Sequence, residues 1–402
     1  MKYVVVLGDG MADYPIPELG NRTPLQYART PNLNRLAANA EIGMVKTVPD
    51  EMPPGSDVAN LSVMGYDPRR YYTGRSPLEA VAMGVELGTT DVAFRCNLVT
   101  LSDDTDYREK IMVDYSSDEI SSEEAATLIA EVKARLESPE LRFYAGVSYR
   151  HLLVWKTGTV EVELTPPHDI SDRRVTEYLP RGPRSEVLLD LMIESNRFLP
   201  SHPVNQARVR QGLRPATSLW FWGQGKRPAL PSFCEKYGLK GSVIAAVDLT
   251  KGLGVCAGLE PVKVPGATGN ITTNFSGKAR AALEELRRGQ DFVYIHIEAP
   301  DEAGHRGELD TKIKSIEEID AKVIGELLRG LEQFEDYRIM VLPDHPTPLR
   351  VRTHTAEEVP FLIYQKSLML QSPVCSYDEE AARLSGLRFE RGYELMDYFV
   401  RG

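Results

Sequence analysis

Two short segments of this 402-residue chain gather residues that hold metal ions. APDEAGH (299–305) sets Asp301 and His305 four positions apart, and LPDHPTPLRVRTHT (342–355) supplies Asp344, His345 and His354. If the chain turns into a helix at Asp301, a four-residue step puts both side chains on one face, where they can share an ion. A D-x-x-x-H spacing is common by chance. The Asp344-His345 pair, flanked by Pro343 and Pro346, also reads as a capped turn. Three of the seven histidines fall in these two segments, however, and each segment follows an apolar run with the pattern of a buried strand. That coincidence favours chemistry. Consecutive side chains diverge, so Asp344 and His345 suit two sides of a bimetallic centre. Asp9, in LGDGM, adds a carboxylate on a Gly-flanked turn, where an aspartate otherwise accepts backbone N–H bonds.

Oxygen and imidazole donors without thiolate suit manganese, zinc or magnesium; the histidines favour manganese, then zinc, over magnesium. Ser56, in MPPGSDVANLSVMG, stands after a Pro-Pro-Gly turn and before a helix-like run. Serine there commonly serves as the N-cap. A helix N-terminus also stabilises a phosphate, and a metal bound to the hydroxyl lowers its pKa and makes it a nucleophile.

The elements that must position these residues are legible as apolar runs at Tyr3–Leu7, Ser242–Val247, Phe292–Ile297 and Arg338–Leu342, each ending in a turn or a functional residue. Helix-periodic stretches, Gly277–Arg288 and Leu309–Leu331, lie between and beside them. The alternation predicts an α/β fold with a mostly parallel sheet covered by helices on both faces. Ligands of such sheets bind beyond the carboxyl ends of the strands, where Asp9, Asp301 and Asp344 fall. From about Glu86 to Gly225 the character changes. VAFRCNLVTL, RHLLVWK and TVEVELT alternate like strands, Ser121–Leu136 reads as a polar helix, and Leu164–Pro183 is Pro-rich. This predicts a discontinuous core, 1–85 with 226–402, and an inserted α+β domain over 86–225.

The length exceeds what a single core usually supports, and 42% hydrophobic with 26% charged residues is enough apolar material to build two. A formal charge of -11 argues against nucleic acid or an anionic membrane as the main partner. Cys96, Cys234, Cys256 and Cys375 are far apart and form no CxxC pair, so neither a disulfide framework nor a thiolate zinc site is suggested, which suits a reducing cytosol. The apolar stretch before Gly8 is shorter than the roughly 7–15 residues of a secretory core, and no later run is long enough to span a bilayer. The expectation is a cytoplasmic enzyme with a small-molecule substrate. Nothing in the sequence signals an oligomeric state.

Taken together, LGDGM, PPGSDVANLSVMGYDP, YYTGR, YRHLLV, TPPHDI, FWGQGKRPALPSF, HIEAPDEAGH and LPDHPTP with RTHT resemble the archaeal-type cofactor-independent phosphoglycerate mutases of the alkaline phosphatase superfamily, along nearly the whole chain. The resemblance implies an alkaline-phosphatase-like core with an inserted lid domain, two divalent metals, often manganese, and a phosphoserine intermediate. It implies an isomerase that interconverts 3-phosphoglycerate and 2-phosphoglycerate, in glycolysis and gluconeogenesis, without 2,3-bisphosphoglycerate. By motif match it makes Asp301, His305 and His354 ligands of one metal, and Asp9, Ser56, Asp344 and His345 ligands of the other, with Ser56 the nucleophile. Lys251 matches a phosphate-holding lysine. Arg150, His151, His168 and Asp169 stand in motifs that look substrate-facing, and Arg75 and Asn60 are further substrate-binding candidates.

The chain departs from that pattern at VDYSSDEI, where archaeal members carry an arginine-bearing segment of the kind DRRAGRI, and at Ser76, where they commonly have glycine. Asp118 or Glu119 could pair with the ammonium of an amino acid, so a bacterial subgroup proposed as homoserine kinases is an alternative. No P-loop is present. A metal-dependent phosphomonoesterase would share the site and differ in admitting water, whereas a silent scaffold would have little reason to keep a nucleophile-type serine.

Overall fold

The computed structural model describes residues 1–368 and 370–402. The chain divides into two compact units, Met1–Tyr72 with Ala229–Gly402, and Thr73–Pro228.

The first unit is built on an eight-stranded sheet. Its strands run, in spatial order, Arg388–Phe389, Glu41–Val45, Val359–Gln365, Tyr337–Leu342, Lys2–Gly8, Phe292–Ile297, Gly241–Ile244 and Glu260–Pro261. Lys2–Gly8 lies parallel between Tyr337–Leu342 and Phe292–Ile297, and only Val359–Gln365 runs antiparallel to its neighbours. These strands are nearly continuous apolar runs because both of their faces are buried. Val4, Val6, Val293, Ile295, Ile339 and Val341 pack into one core with Ala279, Leu283, Ile316, Val323 and Leu327 of helical segments. The alternate residues face other helices: Tyr3 meets Phe399 edge-on at 5.6 Å, and Phe292 stacks on Phe233 at 4.3 Å. The expected α/β sheet with helices on both faces is the fold observed.

The stretch Leu309–Leu331, expected as one helix, is an α-helix over Leu309–Glu318, a π-helical turn over Ile319–Ile324 and a second α-helix over Gly325–Leu331. The wider turn seats the fully buried Asp320, whose carboxylate accepts the N–H groups of Leu33 (2.7 Å) and Asn32 (3.3 Å). Asp320 thus does the capping that Thr30, the N-cap of the helix Pro31–Ala37, does not do with its own side chain.

The second unit carries an antiparallel sheet in which Val92–Leu101 pairs with Met112–Asp114, Arg150–Trp155 and Ser218–Gly225, and Leu141–Tyr144 pairs with Arg150–Trp155. The predicted polar helix spans Ser122–Leu136, opened by a reciprocal capping box between Ser121 and Glu124. TVEVELT, expected as a strand, makes only an isolated bridge from Glu163 to Arg181. Its backbone is claimed by side chains: Trp220 Nε1 donates to Thr165 O (2.8 Å) and Gln224 Nε2 to Val162 O (2.6 Å).

Candidate active site

Three strand ends and one helix start bring the predicted residues of the first unit together. Asp9 follows Lys2–Gly8, and its N–H donates to Ile297 O at 2.9 Å, locking it to the neighbouring strand. Gly10 turns the chain with φ +62; a Cβ there would come within 2.5 Å of Thr347 Oγ1 and 2.8 Å of Asp301 Cα, so only glycine fits. Asp301 and His305 lie in the helix Ala299–Arg306, directly after Phe292–Ile297. Asp344 and His345 follow Tyr337–Leu342, and both are fully buried. The N-cap of the helix Ser56–Val63 is Gly55, which leaves the Ser56 hydroxyl free of capping duty.

One cluster consists of Asp301, His305 and His354. His305 Nε2 lies 3.3 Å from Asp301 Oδ2 and 3.0 Å from His354 Nε2, and His354 Nε2 lies 3.5 Å from Asp301 Oδ1. In a second, Ser56 Oγ lies 3.1 Å from His345 Nε2 and 3.5 Å from Asp9 Oδ2, while His345 Nε2 is 3.6 Å from Asp9 Oδ1 and 3.5 Å from Asp344 Oδ2. Donors bound to one ion at about 2.0–2.2 Å sit roughly 3.0–3.5 Å apart, so these separations are close to the edges of coordination shells. The donor atoms of Asp301, His305 and His354, of Asp9, His296 and Asp344, and of Asp9, Asp301 and His345 each lie within 4.8 Å of one another. Asp9 Oδ1 is buried with no hydrogen-bond partner. The residues fit divalent cations.

The electrostatics agree. Burial, with Asp344 and Asp301 adding negative charge, pushes the Asp9 carboxyl well up. Burial acts on Asp301 in the same direction, but bonds to His305 and His354 hold it well below the usual range. Burial keeps His345 low, hence neutral. Three carboxyl groups crowded in a buried site favour a bound positive charge.

Neighbouring side chains hold these groups in place. Thr347 Oγ1 donates to Asp301 Oδ1 at 2.5 Å and lies 3.3 Å from His345 Nδ1. Asp344 Oδ1 accepts the N–H groups of Gly10 (3.2 Å) and His345 (3.0 Å). Asn60, expected to bind substrate, does something else. It is fully buried, its amide donates to Asp344 Oδ2 and Ser56 O (both 2.8 Å), and its oxygen accepts from Tyr294 Oη (2.7 Å). No polar atom of Asn60 is left for a ligand; it positions Asp344.

Sequence reasoning passed over His296 and Thr347. His296 sits in the strand FVYIHI with its side chain 1% exposed, where a lone histidine reads as core. The available signal was its alternation with Tyr294, which puts both on one face of the strand.

Lys251, in the helix Asp248–Cys256, pairs with Asp248 at 2.8 Å and is not among the clustered groups. In the second unit, Arg75 and Arg95 both bond Glu79, at 3.1 and 2.7 Å, and Arg95 lies 4.8 Å over the Trp222 ring. His168 meets Trp222 edge-on at 5.3 Å and lies 3.6 Å from Asp169, and Arg150 is exposed above Tyr149. His151 is 2% exposed on the strand Arg150–Trp155; its Nδ1 accepts the Gly146 N–H at 3.1 Å and its Nε2 has no hydrogen-bond partner. Burial holds it at about 3, and so neutral.

The VDYSSDEI departure has a local explanation. Ser117, Asp118 and Glu119 take three consecutive left-handed conformations (φ +51, +53 and +48). Asp114 stabilises this turn by accepting the N–H groups of Ser116 (2.8 Å) and Asp118 (2.7 Å). Asp118 accepts from the Arg214 N–H (2.7 Å), and Arg214 Nη1 bonds Asp114 (3.2 Å). Asp118 and Glu119 stay exposed, while Asp114 and Asp118 bond within the loop and to Arg214. Ser76 is likewise internal, donating to Gly223 O at 2.5 Å.

Comparison with known proteins gives the same picture. Residues 37–205 match the family model "2,3-bisphosphoglycerate-independent phosphoglycerate mutase", and residues 168–348 match "Type I phosphodiesterase / nucleotide pyrophosphatase". The chain is 53% identical over 400 residues to a Geobacter sulfurreducens protein named a probable 2,3-bisphosphoglycerate-independent phosphoglycerate mutase, and 51% identical over 403 residues to a Methanothrix thermoacetophila protein carrying the same name without the qualifier; each pair covers 100% of both chains. Among solved structures, a Pyrococcus horikoshii protein superposes with TM-score 0.84 at 29% identity, over 100% of this chain and 96% of that one. The cofactor-independent phosphoglycerate mutase of Thermoplasma acidophilum gives 0.68 at 29%, over 100% and 99%. These relatives give no support to a place among homoserine kinases. With half of its residues shared end to end with such relatives, the chain belongs to the 2,3-bisphosphoglycerate-independent phosphoglycerate mutase family.

Proposed function

We propose that this protein is an isomerase that interconverts 3-phosphoglycerate and 2-phosphoglycerate through a phosphoserine on Ser56, without 2,3-bisphosphoglycerate. The observation that carries the reading is the Ser56 hydroxyl, free of capping duty and set between Asp9 and His345 beside the cluster of Asp301, His305 and His354. Asp301, His305 and His354 would hold one divalent cation, and Asp9, Ser56, Asp344 and His345 a second, with manganese favoured by the mixed imidazole and carboxylate donors. Bound there, such ions supply Lewis-acid activation of the hydroxyl and neutralise phosphoryl charge.

The residues of the chain do the rest. Ser56 Oγ gives up its proton and attacks phosphorus of the donor as the bond to the substrate oxygen breaks, that oxygen taking up a proton. Glycerate turns over, and its other hydroxyl loses its proton and takes the group back as the Ser56–phosphorus bond breaks and Ser56 Oγ is reprotonated. The start of the helix Ser56–Val63 favours the negative phosphoryl group through its dipole. Lys251, Arg75, Arg150, His168 and Asp169 remain candidates for holding substrate, and the inserted unit for excluding water from the phosphoserine. Among the described residues no helix is long and apolar enough to cross a membrane.

The test is a 31P NMR assay of purified protein with Mn2+ and 3-phosphoglycerate. Appearance of 2-phosphoglycerate with no added 2,3-bisphosphoglycerate is expected. No conversion would overturn the proposal, and inorganic phosphate released faster than isomerisation would make the protein a phosphomonoesterase.

A further inference from the structure

The mutase reading leaves one buried group in the site without a role. His296 stands on the strand Phe292–Ile297, in register with Leu7 of the adjacent parallel strand, two residues before Asp9. The Asp9 N–H bond to Ile297 O and the Lys278 Nζ bond to His296 O (2.7 Å) fix both backbones. His296 Nε2 then lies 3.1 Å from Asp9 Oδ2. Despite that distance the imidazole makes no hydrogen bond through either nitrogen, and Asp9 Oδ1 has none either. The close pair, His296 Nε2 and Asp9 Oδ2, is thus not aligned as a hydrogen bond, and the unpartnered Oδ1 belongs to the same carboxylate. Leaving such atoms buried and unsatisfied costs about 1–3 kcal/mol each. Their donor atoms and one of Asp344 lie within 4.8 Å of one another. A 3.1 Å separation is what two donors at about 2.1–2.2 Å from one ion show.

We propose that His296 is a further ligand of a divalent cation held by Asp9 and Asp344. This rests on the reading of the site as a divalent-metal centre and extends it to a residue outside the two sets given above. A water molecule satisfying the same atoms is the competing account. It is less suited to a point faced by two buried aspartates, whose negative charge favours a cation. The ligand set becomes richer in nitrogen, which favours manganese, cobalt or zinc over magnesium.

The experiment uses the full chain stripped of metal with a chelator and titrated calorimetrically with MnCl2. Wild type is expected to bind two ions. His296→Gln, checked by circular dichroism and thermal melting, is expected to weaken one binding event by about tenfold or more and leave the other unchanged. Unchanged affinity for both ions would overturn the inference and leave the metal-centre reading standing. Failure of wild type to bind Mn2+ at all would instead overturn the metal-centre reading itself. A second measurement needs no variant. In Co2+-loaded wild type, paramagnetically shifted imidazole N–H resonances should count four histidines, from His296, His305, His345 and His354, whereas three would exclude His296.

Discussion

Ser56 Oγ stands 3.1 Å from Nε2 of His345, a side chain that is fully buried and, by that burial, neutral. The hydroxyl therefore sits at the same proposed coordination point as His345 and Asp9. Ser56→Ala is expected to lower isomerisation by about 10^4-fold or more, since loss of a nucleophile removes the route and not just a contact. Mn2+ stoichiometry, measured by equilibrium dialysis, should stay near that of wild type because the carboxylates and imidazoles remain. Retained turnover would refute the serine route.

How far the sequence led depends on whether a residue's partners are local. Asp301 with His305, and Asp344 with His345, were readable because a helical step or a strand end places each pair. Asn60 was not. Its partner Asp344 is 284 positions away, and only the folded strand order shows that its amide is consumed. His296 failed for a related reason, since an imidazole in an apolar run looks like core until its unmet nitrogens are seen beside Asp9. Alternation misled at TVEVELT, where Trp220 and Gln224 take the carbonyls. The sheet was legible because burial on both faces leaves an unmistakable apolar run, but the π-turn answers the tertiary demand of Asp320 and leaves no mark in the helical period.

Thr347 bonds Asp301 and lies against His345, so it ties together the two clusters proposed to hold metal. Thr347→Val keeps the shape and removes the hydroxyl. Loss of such an orienting contact should weaken Mn2+ binding by about 10–100-fold with little change in melting temperature. Calorimetric titration of the variant against wild type checks this. Equal affinities would show that Thr347 serves packing alone.

Lys312 places all of its ammonium donors inside the protein, on Asp13 Oδ2 (2.7 Å), Thr347 O (2.8 Å) and Ala12 O (3.2 Å), with neither side chain of the ion pair more than 1% exposed. Lys312→Met should destabilise the fold by about 3–5 kcal/mol, mostly because Asp13 is left charged and buried without its partner. Adding Asp13→Asn should return part of that loss. Urea unfolding of Lys312→Met, Asp13→Asn and the double variant measures the coupling, and strictly additive losses would contradict it.

Glu79 supplies the pH-dependent prediction. Burial opposes its ionisation, but Arg95 and Arg75 win and hold its carboxyl below the usual glutamate range. With the folded pKa below an unfolded value of about 4.3, the unfolded chain binds more protons between the two. The stabilisation is complete above about pH 4.3 and is lost as pH falls through the folded pKa. Glu79→Gln should therefore cost stability at neutral pH, roughly 2–3 kcal/mol, less than for a fully enclosed pair because Arg75 is 39% exposed. The variant should also show a shallower acid dependence than wild type. Guanidinium unfolding of both proteins from pH 7 to pH 3 decides it: curves that stay parallel throughout would mean that the two arginines do not stabilise the ionised carboxylate.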